Sequence, residues 1–89
     1  MIVSFQRKGL KLYFHTGSKR GIQVAHAAKL RRILSVLDAA TEITPITAIP
    51  GFRTHDLDGF WAVKVSGNWR IIFRFIGEDV ELVDYLYYH

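Results

Sequence analysis

Cationic side chains recur on one face of a predicted strand close to the end of the chain. In the run 69–75, large apolar residues alternate with Arg70, an isoleucine and Arg74, which is the pattern of a half-buried strand. Arginine guanidinium groups bind phosphate oxygens through paired hydrogen bonds. The chain ends on Tyr87-Tyr88-His89, and an imidazole can exchange protons near neutral pH. These residue types together suit the binding of a phosphate and the transfer of a proton.

A hairpin is predicted to bring a lysine to the same sheet face. The preceding run, 61–65, has the same alternation, and Ser66-Gly67-Asn68 between the runs contains residues that tolerate a positive φ. Opposed residues of paired strands share a sheet face. We therefore expect Lys64 to lie on the face that carries Arg70 and Arg74.

The N-terminal half of the chain predicts helices that pack on this sheet. A short apolar strand is expected at 2–5 and a brief helix at 9–14. Apolar residues at helical spacing predict a longer helix over 23–40. The stretch 41–54 contains both prolines and is expected to be an irregular connection.

The C-terminal third is predicted to be an antiparallel meander. A second turn at 77–79 leads into an apolar run at 80–87, which would be the third strand after the hairpin. Helices followed by a series of strands predict an α+β fold, with 1–89 forming one domain. The apolar stripe of the longer helix is expected to pack on the sheet side that carries Trp61, Trp69 and Phe73.

Composition restricts the partners and the chemistry. The net charge is +4, which favours an anionic partner, either nucleic acid or an acidic protein. With no cysteine, thiolate chemistry and cysteine-based metal sites are excluded, and we expect no metal or small-molecule cofactor. No apolar stretch approaches ~18 residues, so neither a signal peptide nor a membrane span is expected. These features fit a cytoplasmic protein.

Some residues with chemical potential have a simpler structural interpretation. His15 and His26 match no motif and are expected at the surface. The large aromatic residues of the hairpin are interpreted as core residues rather than as a platform for base stacking. Asp56 and Asp58, next to His55, are residue types that can bind a metal, but their spacing does not support a metal site.

Four segments form a pattern that spans nearly the whole chain. They are Ser4-Phe5-Gln6-Arg7-Lys8-Gly9-Leu10-Lys11, His55 ahead of Gly59-Phe60-Trp61, Val65-Ser66-Gly67-Asn68-Trp69-Arg70-Ile71, and the terminal Tyr88-His89. Together these segments resemble the HigB toxins, the plasmid-maintenance killer proteins of the RelE superfamily. The stretch Asn68-Trp69-Arg70-Ile71 is the specific part of the resemblance.

The resemblance implies a ribosome-dependent messenger-RNA endonuclease, which a small helix-turn-helix, HigA-like antitoxin neutralises. Chemistry in this family is attack of a ribose 2′-hydroxyl on the adjacent phosphate without a metal. The reaction needs a base, an acid and cations that stabilise the charge developing on the phosphate.

The residues of this chain can fill those roles. By resemblance, His55, Arg70, Tyr88 and His89 form the catalytic set, with the two imidazoles as proton carriers and the tyrosine as a partner for phosphate or base. Because Lys64 and Arg74 are predicted to lie on the sheet face of Arg70, we add them as further phosphate ligands. Asn68, in the predicted turn, completes the expected RNA-binding set.

The chain also departs from the pattern of the family. Relatives usually have a Pro-Leu-Lys-Gly run after the residue equivalent to His55, whereas this chain reads Asp56-Leu57-Asp58-Gly59 and lacks that lysine. Tyr87 replaces an acidic residue that is common before the terminal Tyr-His, and Ser66 stands where some relatives have arginine. Lys64 is a candidate to replace the missing cation.

Two other functions therefore stay open. One is a catalytically weak toxin that binds the antitoxin and co-regulates its own operon, which the missing lysine favours. The other is the related branch that poisons DNA gyrase and shares the fold without the ribonuclease residues. The terminal Tyr88-His89 and the segment Asn68-Trp69-Arg70 favour the ribonuclease over the gyrase poison.

Overall fold

A computed structural model describes residues 1–87, in which a layer of helices covers one face of an antiparallel sheet. The helices are α1 (Lys8–Thr16), a 3₁₀ turn (Val24–His26), α2 (Ala27–Ala39) and α3 (Thr44–Thr47), and the strands are β1 (His55–Leu57), β2 (Phe60–Ser66), β3 (Trp69–Ile76) and β4 (Asp79–Tyr87). The strands lie in the order β1-β2-β3-β4. The predicted α+β fold is confirmed.

A tight turn joins β1 to β2 and fixes their register. The pairing of Leu57 with Phe60 leaves Asp58 and Gly59 as a two-residue turn, and both have positive φ, 51° and 93°. This is the requirement of a type I′ hairpin, for which Asp-Gly is a preferred sequence. The hairpin of β1 and β2 is absent from the sequence prediction, which placed only 41–54 ahead of His55. The Asp-Gly dipeptide was the signal that could have revealed it.

The core lies between α2 and the inner face of the sheet. On α2 the buried positions recur at helical spacing, and on the sheet they alternate along each strand: Leu30, Ile33, Leu34 and Leu37 face Val63, Ile71, Phe73 and Val83. The predicted packing of the helix on the Trp61, Trp69 and Phe73 side is confirmed, although Phe73 is fully buried and both tryptophans only partly.

The first helix is anchored at its end and to the second helix. Gly17 ends α1 in the left-handed conformation, and its N–H donates to the carbonyl of Tyr13. The phenol of Tyr13 donates in turn to the carbonyl of Ala27, at 2.7 Å, in the first turn of α2. The loop between the helices is thereby held at both ends.

The N-terminal segment runs parallel to β4 but forms only isolated bridges, Ile2 with Val80 and Phe5 with Val83. The strand predicted at 2–5 is therefore not a regular strand. Leu82 has a positive φ of 56° in a bulge of β4, and its N–H donates to Ser4 Oγ rather than to a backbone carbonyl. The bulge interrupts the ladder.

The helical predictions differ from the structure mainly at their boundaries. The helix predicted over 23–40 opens as the 3₁₀ turn, and regular α-helix begins only at Ala27. The predicted irregular connection contains α3, which has Pro45 in its first turn, where a missing N–H is tolerated. Within residues 1–87, no helix has the length and apolar character that crossing a membrane requires.

Candidate active site

His55 and Arg70 line one depression on the outer face of the sheet, the face that the helices leave uncovered. The depression has a volume of about 210 Å³, and Leu57 and Ala62 are the other described residues of its lining. His55 is opposed to Ala62 in the pairing of β1 with β2. Since the alanine side chain ends at Cβ, it leaves open space between the imidazole and the guanidinium. The structure thus brings together two residues that are 15 positions apart in the sequence.

The guanidinium of Arg70 is held in place by the turn between β2 and β3. Its Nη1 donates to the carbonyl of Gly67, at 2.6 Å, and to the carbonyl of Trp69, at 3.0 Å. A guanidinium carries five N–H donors, so others stay available for an anion. No carboxylate within residues 1–87 pairs with it. A fixed cation, which no carboxylate of the described residues neutralises, therefore borders the depression.

Lys64 lies directly opposite Arg70 in the ladder of β2 and β3, so the prediction that they share a sheet face is confirmed. Side chains opposed in this way have Cβ atoms about 4.5–5.5 Å apart. Lys64 is half-buried and, in the described part of the chain, forms no ion pair. The two positive charges together create a local site of attraction for phosphate.

Arg74 is on the same face but lies apart from this pair. It lies four positions further along β3 than Arg70, which corresponds to about 13 Å. Its Nε donates to Glu81 Oε2 at 2.6 Å, and its guanidinium lies 5.3 Å from the centre of the Phe60 ring. The charge of Arg74 is thus partly compensated, and its role in binding phosphate stays a prediction.

The turn residue Asn68 contacts the last described residue. Its Nδ2 donates to the phenol oxygen of Tyr87 at 3.5 Å, at the end of the sheet that also carries Arg70. Tyr88 and His89, the other predicted catalytic residues, lie outside the described residues.

The acidic residues that follow His55 do not line the depression. Asp56 is opposed to Trp61, one position along β1, so it lies on the other sheet face from His55. Asp58 is in the turn between β1 and β2. Among residues 1–87, no three His, Asp or Glu side chains are grouped as metal ligands.

One histidine expected at the surface is part of a hydrogen-bonded cluster. His26 is half-buried, and its Nδ1 lies 2.6 Å from the phenol oxygen of Tyr85, which is itself buried. Burial raises the pKa of Tyr85, and both the N–H of Gln23 and the charge of Arg7 lower it in part. The sequence prediction was wrong about His26 because the contact joins two elements 59 residues apart. His15 is exposed, as predicted.

Comparison of the chain with known proteins identifies its family. Residues 3–89 match the model of the HigB-like toxins, described as the RelE-like toxin of the type II toxin-antitoxin system HigB. The chain is also 37% identical over 93 aligned positions to an endoribonuclease HigB of Proteus vulgaris, and the alignment covers all of both chains. Both matches include the stretch that carries His55, Lys64 and Arg70. The chain therefore belongs to the HigB-like family of RelE-type toxins, the toxin component of type II toxin-antitoxin systems.

Proposed function

We propose that this protein is a ribosome-dependent messenger-RNA endonuclease that cleaves by attack of the ribose 2′-hydroxyl. The observation that carries the proposal is the depression shared by His55 and Arg70, with Lys64 opposite the arginine. A proton carrier and two cations next to one open cavity are the groups that phosphodiester cleavage needs. The similarity to a protein named endoribonuclease HigB supports the same reaction.

The reaction is an internal transfer of the phosphoryl group. A base removes the proton of the 2′-hydroxyl, the 2′-oxygen bonds to the adjacent phosphorus, and the bond from phosphorus to the 5′-oxygen breaks. An acid then supplies a proton to the departing 5′-oxygen. The products are a 2′,3′-cyclic phosphate and a 5′-hydroxyl, and no metal is required.

The residues of the outer face divide these tasks by their chemistry. His55 is exposed at the rim of the depression and carries one of the two proton transfers. We assign the other to His89, with Tyr88 as a partner for the phosphate or a base. Arg70 and Lys64 stabilise the negative charge on the phosphate oxygens in the transition state.

Asn68 and Arg74 extend this site along the RNA. Asn68 lies beyond Arg70 at the turn end of the sheet, and Arg74 lies toward the opposite end. A strand of RNA that follows β3 can therefore contact both, with its reactive phosphate at Arg70. Because Arg74 is paired with Glu81, we expect its contribution to be the smaller one.

Lys64 also bears on the alternative of a catalytically inactive toxin. The lysine usual after the equivalent of His55 is absent, which favours a protein that only binds its antitoxin. The position of Lys64 beside Arg70 supplies a cation to the same face and favours an active nuclease. We propose that the partners are a HigA-like helix-turn-helix antitoxin and messenger RNA on the cytoplasmic ribosome.

Mapping the ends of cleaved messages tests the proposal. We would express the protein in bacteria without antitoxin and compare it with His55→Ala and, as a matched control, with His15→Ala, since His15 is exposed on α1. The wild-type protein and the control should produce 5′-hydroxyl and 2′,3′-cyclic phosphate ends, and His55→Ala should produce few. Cuts with 5′-phosphates would contradict the mechanism. Growth arrest with intact messages and inhibited gyrase would instead support the gyrase-poisoning branch.

A further inference from the structure

A second basic cavity lies on the helical side of the sheet, at the end of β3 that also carries Arg70. It has a volume of about 260 Å³, and the described residues of its lining include two arginines and no acidic residue: Arg7, Arg20, Gly21, Ile22, Gln23, Trp69 and Tyr85. Trp69 and Arg70 are consecutive residues of one strand, so their side chains lie on opposite sheet faces. The cavity and the candidate active site are therefore on the two sides of the same strand end.

The loop that carries Arg20 is held against the start of α1 by two glycines. A Cβ atom on Gly9 would come within 2.6 Å of the carbonyl oxygen of Gly21, so neither position has space for a side chain. The N–H of Gln23 also donates to the phenol oxygen of Tyr85, at 3.4 Å. These contacts hold the loop so that Arg20 and Arg7 line the same cavity.

The guanidinium groups of Arg7 and Arg20 differ in the contacts that they already form within the protein. Arg7 donates through Nη1 to the carbonyl of Tyr85, and its guanidinium lies 5.1 Å from the centre of that ring. Among residues 1–87, no hydrogen bond occupies the other four of its five N–H donors. Arg20 is exposed, and within residues 1–87 its guanidinium has neither an ion pair nor a hydrogen bond. Arg7 is thus held in place by Tyr85, whereas Arg20 is exposed and available to a ligand.

An aromatic wall completes the cavity. The ring of Trp69 is half-buried and lies 4.7 Å from that of Tyr85, which is held in turn by His26 and Arg7. A fixed aromatic surface beside guanidinium groups that no carboxylate of residues 1–87 neutralises suits a nucleotide, because the arginines bind the phosphate and the ring packs on the ribose or base. Trp69 packs against the core, as the sequence predicted, but it is only partly buried and also lines this cavity.

We propose that this cavity is a second RNA subsite, in which Arg7 and Arg20 bind one phosphodiester group beside Trp69. The inference rests on the proposed function and adds to it. An RNA strand that passes round the end of β3 contacts the active site on one sheet face and this cavity on the other. The phosphate belongs either to the cleaved strand or to ribosomal RNA, which share the same chemistry.

Binding measurements on full-length protein test the subsite. All variants would carry His55→Ala so that the RNA stays intact, and Arg20→Ala would be compared with Lys19→Ala, the same loss of charge at the preceding residue. With a fluorescent single-stranded RNA, Arg20→Ala should weaken binding about 3- to 10-fold and reduce the salt dependence by roughly the 0.7 expected for one phosphate. Lys19→Ala should change affinity less than about twofold. Thermal unfolding would verify that each variant is folded.

A second arm replaces the RNA with vacant small ribosomal subunits. If Arg20→Ala weakens binding only to the subunits, the phosphate is ribosomal; if it weakens binding of the oligonucleotide, the phosphate belongs to the message. Equal losses for Arg20→Ala and Lys19→Ala, or no loss in either arm, would overturn the subsite. In that case the proposed endonuclease function would not be affected, provided that protein with His55 intact cleaves RNA. If the protein bound no RNA in either arm, the proposed function would be contradicted as well.

Discussion

Lys64 and Arg70 form a directly opposed pair of like charges on the outer face of the sheet. Opposed like charges destabilise a sheet, by about 0.2–1 kcal/mol. No carboxylate among the described residues offsets this pair. Such a cost is expected where positive charge is needed to bind a ligand, as in the endonuclease proposed above.

We predict that Lys64→Gln makes the protein more stable and less active. Removing one of the two opposed cations should raise the free energy of unfolding by a few tenths of a kcal/mol, up to about 1 kcal/mol. Loss of a charged contact to phosphate should lower RNA cleavage by roughly tenfold or more. Urea unfolding and cleavage assays with translating ribosomes would measure the two effects. A variant that is less stable, or as active as the wild type, would contradict the assignment.

Arg70→Ala is expected to abolish growth arrest with little effect on folding. In the described part of the chain the guanidinium bonds only to the carbonyls of Gly67 and Trp69, so the free energy of unfolding should change by no more than about 0.5 kcal/mol. Loss of a preorganised donor should reduce cleavage by about 10²–10³-fold. Growth assays and thermal unfolding check the prediction.

Arg74→Ala is the matched control for Arg70→Ala, since it removes the same side chain from the same strand face. Arg74 is exposed and paired with Glu81, so its removal should reduce cleavage by less than about tenfold. If Arg74→Ala were as damaging as Arg70→Ala, the reactive phosphate would have to lie further along β3 than we propose.

Deleting Tyr88 and His89 is predicted to separate catalysis from antitoxin binding. The deletion removes one titrating imidazole and one phenol, so cleavage should fall by about 10²-fold or more if they take part in proton transfer. The shortened protein should still bind its antitoxin. Pull-down with the antitoxin and end mapping would measure both. If the shortened protein arrests growth like the full chain, His55 alone carries the proton transfer.

The stability of the protein should decrease at alkaline pH through Tyr85. Burial raises the pKa of this phenol above its ordinary value, with Gln23 and Arg7 lowering it in part. As the pH rises, the unfolded chain loses this proton before the folded protein does, so the contribution is complete below about pH 10 and is lost as the pH passes through the folded pKa. The free energy of unfolding, measured between about pH 8 and about pH 11, should decrease less for Tyr85→Phe than for the wild type. An equal decrease in both proteins would assign the effect to other groups.

The sequence alone determined the half of the site that lies within one hairpin. Alternation in the runs that include Lys64 and Arg70, with a turn at Gly67 between them, specified both the sheet face and the proximity of the two cations. Local periodicity suffices there, because the three residues 66–68 between the two runs set Lys64 opposite Arg70, and the structure accommodates this register through an irregularity of the ladder between Lys64 and Ser66. The resemblance to the HigB toxins likewise pointed to the family that the comparisons confirm.

Tertiary structure decided the contacts that join distant parts of the chain. His55 reaches Arg70 only because β1 pairs with β2, through a strand of three residues that is too short to have a recognisable period. Likewise, the contact of His26 with Tyr85 and the cavity between Arg7, Arg20 and Trp69 depend on a loop that two glycines hold against α1. Such contacts follow from packing between elements, and the periodicity within a single element does not predict them.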